Sequence, residues 1–559
     1  MKKSILLVSL FMIGLTSKAQ YYHNPVLAGF YPDPSICKAG DDYYIVNSTF
    51  SYFPGLPIFH SKDLLNWQLE SYALDRPEQL PLEGAPLSSG LFAPTIRYHN
   101  GTFYIVCTNV SGVGNFVVTA KNTKGPWSNP VKLPEVNGID PSLFFDGDSA
   151  YIVYNSIPPD GKPLYEGHRT IRVVPFSEQS LQVAGSNRIL VNGGTDISQK
   201  PIWIEGPHLY KINGWYYLMC AQGGTGYNHS EVVFRSRSME EPFVPYQHNP
   251  ILTQMFLPKD RKSPVTSTGH ADLVQDNAGS WWAVFLGCRP YTGENYNTGR
   301  ETFMAPVKWE NGWPVIDLKG EEVKYRYPIN AGREEKWQTF NGNFTFRDDF
   351  KDRVLNSRYA FLRTPLEKWY SLNDTEGTLA LQLRPATCSG RSNPSFVGFR
   401  QSHLKGHAAT ELQFTPTAEN EKAGLLVFQS ENRYYFISKS VKDSKPVLEL
   451  WKSNGNPYKK INTVPSVLLA SVPLPDTNAA VQLKIEANNS VYNFYYKLQE
   501  QDWKALQKNV DAKYLSTSEA GGFVGCMYAM YATSEGKPST QKAYFKYFEN
   551  VNNDDVYKK

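Results

Sequence analysis

The sequence predicts an all-β protein, with a five-bladed β-propeller followed by a β-sandwich. Three observations support this prediction. One strand–turn–strand pattern recurs five times in the N-terminal half, aromatic residues make up 14% of the 559 residues, and a second series of apolar strands fills the remainder. A chain of this length exceeds what one compact core usually holds, so two domains are expected.

The N-terminus has the pattern of an export signal. Lys2 and Lys3 precede an apolar run over 5–15, and "SKA" at 17–19 is a small-x-small cleavage site. We predict a signal peptide over 1–19, which would place the mature chain in the periplasm or outside the cell. No later stretch of the sequence approaches the ~20 consecutive apolar residues that a membrane span needs.

The repeat predicts the propeller over 20–325. Its copies include "DPSICKAGDDYYIV" and "DPSLFFDGDSAYIV", and they open at Asp33, Ala93, Asp140, Glu205 and His270. Each opening residue precedes an aromatic pair by 10 or 11 positions, across a turn with Gly and Asp or Asn. Such units fit the blades of a propeller. A β-sandwich with coincidental hairpins is the alternative.

The opening residues of the blades predict a functional site on the propeller axis, where equivalent positions converge. Three of the five are carboxylic acids and one is histidine, and burying such groups together is costly unless they are used. Two facing carboxylates are the apparatus of glycoside hydrolysis, and a third can keep the acid protonated. A calcium site on the axis is the alternative, because carboxylates also suit hard cations.

The motifs around these residues resemble glycoside hydrolase family 43. They include "NPVLAGFYPDPSI", "GLFAPTIRYHNGTFYIV", "GIDPSLFFDGD", "IEGPHLYKINGWYYL", "STGHADLVQD" and "GRETFMAPVKWENGWPV", and the resemblance covers most of 23–318. The similarity is greatest to the β-xylosidase and α-L-arabinofuranosidase branch, which carries a C-terminal β-sandwich. The resemblance implies a five-bladed propeller with a catalytic Asp, Asp and Glu.

The resemblance also implies roles for individual residues. Asp33 would be the general base, Asp140 would tune and orient the acid, and Glu205 would be the general acid. Arg300, in "GRET", would hold sugar hydroxyls, since a guanidinium can grip two oxygens. His270 would lie at the pocket floor, contacting substrate or water, or contacting a central calcium ion indirectly.

Two aromatic residues are candidates for the sugar pocket. Phe50 follows the first aromatic strand, and Phe92 stands where family members often have Trp. Simple core packing is the alternative for both. Invertase-like propeller hydrolases typically have "RDP" at the second acid, whereas "IDP" stands here at Asp140, which favours an inverting mechanism.

Beyond the repeat, a polar segment over 326–343 is predicted to be a linker. Strands such as "AGLLVFQS" and "VQLKIEA" then predict a concanavalin- or lectin-like β-sandwich over 344–559. In the resembling enzymes the sandwich leans on the propeller and can close one side of the pocket. Independent polysaccharide binding is the alternative role.

Composition limits the partners. A net charge of +4 without a Lys/Arg run excludes a nucleic-acid footprint. The six cysteines lack a CxxC pair, and Cys107, Cys220 and Cys288 lie inside or at the ends of apolar runs, which favours buried thiols over disulfides or a zinc cage.

The sequence as a whole predicts an exo-acting, inverting glycosidase. It would release terminal xylose or arabinofuranose from plant cell-wall oligosaccharides and polysaccharides, with no required cofactor. Endo-arabinanase-like hydrolysis and a non-catalytic sugar-binding propeller are the alternatives.

Overall fold

The structure, a computed structural model, describes residues 20–316, 321–329, 339–372, 374–455, 466–499 and 501–558. The predicted signal peptide over 1–19 lies outside these residues. The predicted fold class is confirmed, because five separate sheets form the blades of a propeller and two larger sheets form the C-terminal sandwich.

Each blade is an antiparallel sheet whose first four strands follow chain order across the sheet, as consecutive hairpins produce, and in blades III and IV a fifth strand pairs with the third. The strands of blade I are Ser35–Ala39, Asp42–Val46, Gly55–Ser61 and Gln68–Leu74, and those of blade II are Leu91–His99, Thr102–Asn109, Gly114–Ala120 and Val131–Lys132. Blade III comprises Ile139–Asp146, Ser149–Ser156, Thr170–Ser177, Gln182–Val183 and Arg188–Asn192. Blade IV comprises Glu205–Ile212, Trp215–Gln222, Ser230–Ser236, Val244–Pro245 and Leu252–Thr253, and blade V comprises Thr266–Gln275, Trp281–Cys288, Glu301–Glu310 and Trp313–Val315.

Tight turns fix the register of the predicted hairpins. In blade II, Asn100 and Gly101 connect two strands and have φ angles of 46° and 74°. In blade IV, Asn213 and Gly214 do the same at 50° and 75°. A two-residue turn with both φ angles positive matches the twist of the flanking strands, and Asn-Gly adopts it most readily.

A backbone irregularity at the start of the blades aims their opening residues at the axis. In blades II to V the pairing of the first two strands shifts register at the opening position. Asp140 and His270 have φ angles of 54° and 53° there, and Asp33 has 51° just before the first strand of blade I. Bulges of this kind redirect a side chain that regular pleating would place in the sheet.

The sandwich consists of two sheets of antiparallel strands. One contains Thr345–Asp348, Tyr370–Ser371, Leu379–Gln382, Lys405–Gln413, Val481–Asn488, Val491–Leu498, Lys504–Asp511 and Lys542–Asn552. The other contains Ala360–Leu362, Ser395–Arg400, Lys422–Ser430, Arg433–Lys442, Lys445–Ser453, Ser466–Pro473 and Met527–Thr533, and the propeller strand Tyr52–Phe53 at its edge. Helical structure is confined to Thr517–Ala520 and the 3-10 turns Pro159–Gly161, Ile197–Gln199, Lys513–Leu515 and Asp555–Tyr557 among the described residues.

The two domains are joined by backbone pairing and by buried charge. The propeller strand Tyr52–Phe53 pairs with Ala360–Leu362 of the sandwich. Arg289 of blade V, 1% exposed, donates to Glu301 at 2.6 Å and to Asp554 of the sandwich at 2.8 Å. Because a buried charge needs its partners, this ion pair ties the sandwich firmly to the propeller.

The segment predicted to be a linker begins with a strand, Arg326–Ile329, which pairs with Gln20–His23. The buried-thiol prediction is confirmed, since all six cysteines are buried and unpaired. Within the described ranges, no helix combines the length and apolar character needed to cross a membrane.

Candidate active site

A cavity of about 400 Å³ opens at the propeller axis. All seven side chains that the sequence singles out line it, namely Asp33, Phe50, Phe92, Asp140, Glu205, His270 and Arg300. Residues that are far apart in the chain therefore meet in one cavity, which agrees with convergence of equivalent blade positions.

Asp33 is held as a carboxylate. It accepts a hydrogen bond from Ser48 Oγ at 2.7 Å and lies 3.3 Å from Arg300 Nη1 and 3.5 Å from His270 Nδ1. Burial alone would raise the pKa of Asp33, but these three neighbours lower it well below its ordinary value. A charged carboxylate at this position can accept a proton from water.

Glu205 lies in the opposite environment. Its carboxyl group makes no hydrogen bond to another described residue, and burial together with the charge of Asp140 raises its pKa to about 8. Glu205 is therefore protonated at neutral pH and able to donate a proton.

Asp140 lies between these extremes. It accepts one hydrogen bond, from the backbone N–H of Gly206 at 3.2 Å. Burial raises the pKa of Asp140 to about 6, while the nearby His270 opposes the shift. Among the charged neighbours of Glu205, Asp140 raises its pKa most. Asp140 is held in place by the backbone N–H of Gly206, the residue that follows Glu205.

His270 and Arg300 supply positive charge beside Asp33. Burial would lower the pKa of His270, but the carboxylate of Asp33 raises it to about 9, so the ring is protonated at neutral pH. Arg300 also lines the cavity, so its guanidinium stands where it can meet a ligand oxygen.

The residues of the cavity do not fit a directly bound calcium ion. Protonated His270 has no lone pair to offer, and Asp33 already faces two cations. Among the described residues, no group of three or more His, Cys, Asp or Glu side chains could hold a metal ion. An indirect calcium contact of His270 through water stays a prediction.

Three phenylalanines form one wall of the cavity. The rings of Phe50 and Phe92 are 5.1 Å apart, and Phe523 lies 5.9 Å from the first and 5.7 Å from the second. Phe523 belongs to the sandwich, and its backbone N–H donates to Ser88 Oγ of the propeller at 3.1 Å. The sandwich therefore contributes directly to the cavity.

Sequence reasoning missed Phe523 and Trp203, which also line the cavity. Phe523 stands in "EAGGFVG", a turn-like segment of the other domain that carries no signal of a pocket. For Trp203 a signal existed, because it stands only two residues before Glu205 in "WIEGPH".

A second group of buried polar side chains lies next along the axial strands. Asp272 accepts hydrogen bonds from Ser35 Oγ at 2.7 Å, Tyr210 Oη at 2.5 Å and Arg97 at 2.8 and 3.1 Å. Burial raises the pKa of Asp272, but Arg97 and the other partners lower it far below its ordinary value. This carboxylate is saturated and has no free lone pair directed at the cavity.

Two family models match the chain, one over the propeller and one over the sandwich. The family model of glycosyl hydrolases family 43 matches residues 22–314, and the model of the β-xylosidase C-terminal concanavalin A-like domain matches 347–550.

Individual proteins match over nearly the whole chain. A xylosidase/arabinosidase of Butyrivibrio fibrisolvens is 39% identical over 94% of this chain and 98% of its own length. A non-reducing end α-L-arabinofuranosidase of Bacteroides ovatus is 37% identical over 98% of this chain and 97% of its own. The crystal structure of a xylan β-1,4-xylosidase of Bacillus halodurans superposes with a TM-score of 0.84, at 30% identity, over 95% of this chain and 100% of its own.

Proposed function

The chain belongs to glycosyl hydrolases family 43, and on this premise we propose that it is an exo-acting, inverting glycosidase. It releases terminal xylose or arabinofuranose from xylan- or arabinan-type oligosaccharides and polysaccharides. The names of the similar proteins, xylosidase/arabinosidase and α-L-arabinofuranosidase, support this substrate class.

One observation carries the mechanism: the cavity drives the pKa values of two carboxyl groups apart. Asp33 is charged at neutral pH, whereas Glu205 is protonated up to about pH 8. Paired groups with opposite perturbations identify the base and the acid of a glycosidase. A non-catalytic sugar-binding propeller would have no use for this separation.

The reaction follows from these two states. Asp33 takes a proton from a water molecule, whose oxygen attacks the anomeric carbon. Glu205 gives its proton to the glycosidic oxygen as the bond to the anomeric carbon breaks. The products are a free pentose of inverted configuration and a saccharide chain shortened by one unit.

Neighbouring groups support the two steps. Asp140 keeps the pKa of Glu205 high until the proton is needed. Arg300 presents its guanidinium to sugar hydroxyls in the cavity and holds Asp33 charged through Nη1. His270 adds positive charge beside Asp33, which favours the carboxylate before water is deprotonated.

The shape of the cavity supports exo action. Phe523 of the sandwich and Phe50 and Phe92 of the propeller close one side. A chain that ran through the cavity, as endo-arabinanase-like hydrolysis requires, would collide with this wall. One terminal pentose fits instead, with the apolar face of the ring against phenylalanine.

The predicted signal peptide supports action outside the cytoplasm. Lys2 and Lys3, the apolar run over 5–15 and the cleavage site at 17–19 direct the chain to the periplasm or the medium. Plant polysaccharide fragments are available in both places.

The stereochemistry of the first product tests the mechanism. Inverting sites keep their carboxyls about 6.5–9.5 Å apart to admit water, against about 5–5.5 Å in retaining sites. Proton NMR during hydrolysis of a nitrophenyl β-xyloside or α-arabinofuranoside should show the opposite anomer first. A retained anomer, or a glycosyl ester on Asp33, would refute the proposal.

A further inference from the structure

Trp203 has a backbone conformation that a bulky residue rarely adopts. Its φ angle is 49°, and its backbone N–H donates to the carbonyl of Gly167 at 2.9 Å. Left-handed conformations of large side chains are costly and cluster at functional sites. The strain places the indole at the cavity, which Trp203 lines.

A cation packs against one face of the Trp203 indole. The guanidinium of Arg169 lies 3.7 Å from the centre of the ring, in cation–π contact. One face of Trp203 is therefore occupied by protein, and the ring cannot swing freely. A rigid aromatic ring beside a sugar cavity is a suitable platform for the apolar face of a sugar.

We propose that Trp203 and the adjacent Ile202 bind the leaving-group part of the substrate, meaning the saccharide chain from which the terminal pentose is cut. We call these two residues the ledge. The inference rests on the proposed function. It adds the surface that binds the saccharide chain behind the terminal pentose, which a small glycoside lacks.

The position of the acid puts the leaving group on this side. Glu205 protonates the glycosidic oxygen, so the departing chain lies next to Glu205, and Trp203 stands two residues before it. The phenylalanine wall arises from blades I and II and the sandwich, whereas Trp203 arises at the junction of blades III and IV. In a ring of five blades these two places face each other across the axis.

The ledge leads away from the cavity along an exposed apolar surface. Ile202 is 50% exposed. Gly224 connects Ile202 to the cavity, because it lines the cavity and a Cβ placed on it would stand 3.9 Å from Ile202 Cγ2. An indole face and an adjoining exposed aliphatic side chain suit the apolar faces of sugar rings. The ligand class is therefore an uncharged chain of pentose rings, with the first ring against Trp203.

A second cavity beside Arg300 is an alternative location for the leaving-group chain. A smaller cavity of about 190 Å³ shares Arg300, Thr225 and Phe523 with the main one and is lined by Tyr227. Tyr227 also has a cation over its ring, Lys259 at 4.2 Å. If the leaving group extended into this smaller cavity, Tyr227 would contact it, so Tyr227→Ala is the matched aromatic variant for that alternative.

The experiment separates the terminal pentose from the chain behind it. We would measure the KM for pentose-terminated oligosaccharides of two and four units, and the inhibition constants of free xylose and arabinose, which on this proposal occupy the part of the cavity against the phenylalanine wall. Trp203→Ala should raise the KM for both oligosaccharides about tenfold and leave the pentose inhibition constants within about twofold. Ile202→Ser should raise the KM of the longer substrate more than that of the shorter one.

Controls make each outcome decisive. Leu366→Ser removes an apolar side chain that is 70% exposed on the sandwich, and it should change neither quantity. Equal changes in KM and pentose inhibition, unchanged KM in both ledge variants, or the predicted pattern in Tyr227→Ala instead would overturn the inference. If Trp203→Ala does not fold, as its melting curve would show, Ile202→Ser decides. A wild-type protein that hydrolyses no pentoside refutes the proposed function itself, before any variant is compared.

Discussion

Two acids on the propeller axis, Glu205 and Asp272, differ in how many hydrogen-bond donors they meet, and each belongs to a group of polar side chains. The pocket layer consists of Asp33, Asp140, Glu205 and His270. The buried layer, next along the same strands, is centred on Asp272 and its partners Ser35, Arg97 and Tyr210. Asp33, Asp140, His270 and Asp272 are buried, whereas Glu205 is partly exposed toward the cavity, and both layers are built at the first strands of the blades.

The difference shows that burial alone does not set the charge of an acid. Asp272 receives several donors and stays charged, whereas Glu205 receives none from another described residue and has its pKa raised to about 8. Hydrogen bonds and opposite charges stabilise the ionised form, and their absence favours the neutral form. The buried layer is thus suited to holding the blades together, and the pocket layer is suited to moving protons.

The largest expected effect comes from removing the acid of the pocket layer. Glu205→Gln should reduce turnover of oligosaccharides by about 10²–10⁴-fold, because no proton reaches the leaving oxygen. Glycosides with a dinitrophenolate leaving group need little protonation and should lose far less. Steady-state rates on both substrates test this, with Glu231→Gln as the matched control. A similar loss on both substrates would contradict the role of Glu205 as the acid.

Asp272→Asn should break the buried layer. Arg97, whose side chain is 15% exposed, would lose its charged partner. Removing one partner of a fully buried ion pair typically lowers the free energy of unfolding by about 3–5 kcal/mol, and the partial exposure of Arg97 should bring the loss toward or below the lower end of that range. Since the folded pKa of Asp272 lies below the value of 3.8 for the free group, its contribution is complete above pH 3.8 and is lost as the pH falls toward the folded pKa.

Urea unfolding at several pH values would measure this loss. The gap between wild type and the Asp272 variant should be wide at neutral pH and narrow below pH 3.8. The pH–rate profile of the folded variant should match that of the wild type. A displaced profile would mean that the two layers are not separate.

Asp140→Asn should change the pH range of the enzyme. After burial, the negative charge of Asp140 is the largest cause that raises the pKa of Glu205 to about 8. Without this charge the pKa of Glu205 falls, so activity should be lost at a lower pH on the alkaline side, and turnover should also slow. An active variant with an unmoved alkaline limb would show that Asp140 only orients the acid.

The smallest effect is expected from Glu231, a buried acid outside the cavity lining. Its Oε2 accepts from the backbone N–H of Ala271 at 2.9 Å, its Oε1 has no partner among the described residues, and burial raises its pKa to about 8. The folded protein therefore binds this proton more tightly than the unfolded chain, and stability declines as the pH rises from 4.5 to about 8.

Glu231→Gln removes this ionisation. Activity should be retained, and the melting temperature should decline less between pH 5 and 8 than in the wild type. An unchanged slope would show that Glu231 is ionised in the folded protein, and that lack of donors does not explain the raised pKa values of the pocket layer.

The sequence by itself determined the repeat, and the repeat determined the propeller. Apolar and aromatic residues at fixed offsets, separated by turns such as Asn100-Gly101, dictate hairpins from local physics alone. Because equivalent blade positions meet on one axis, Asp33, Asp140, Glu205 and His270 could be placed together without any structure. Arg300, Phe50 and Phe92 followed from the family resemblance.

Only the tertiary structure decided the contacts between residues that are distant in the chain and the charge states that depend on those contacts. Phe523 enters the cavity from the sandwich, and the propeller strand Tyr52–Phe53 extends a sandwich sheet. No local pattern encodes either contact, because each exists only when the two domains pack. The charge states of Asp33 and Glu205 belong here as well, since a pKa is the sum of burial, hydrogen bonds and neighbouring charges that only the folded chain brings within a few ångströms.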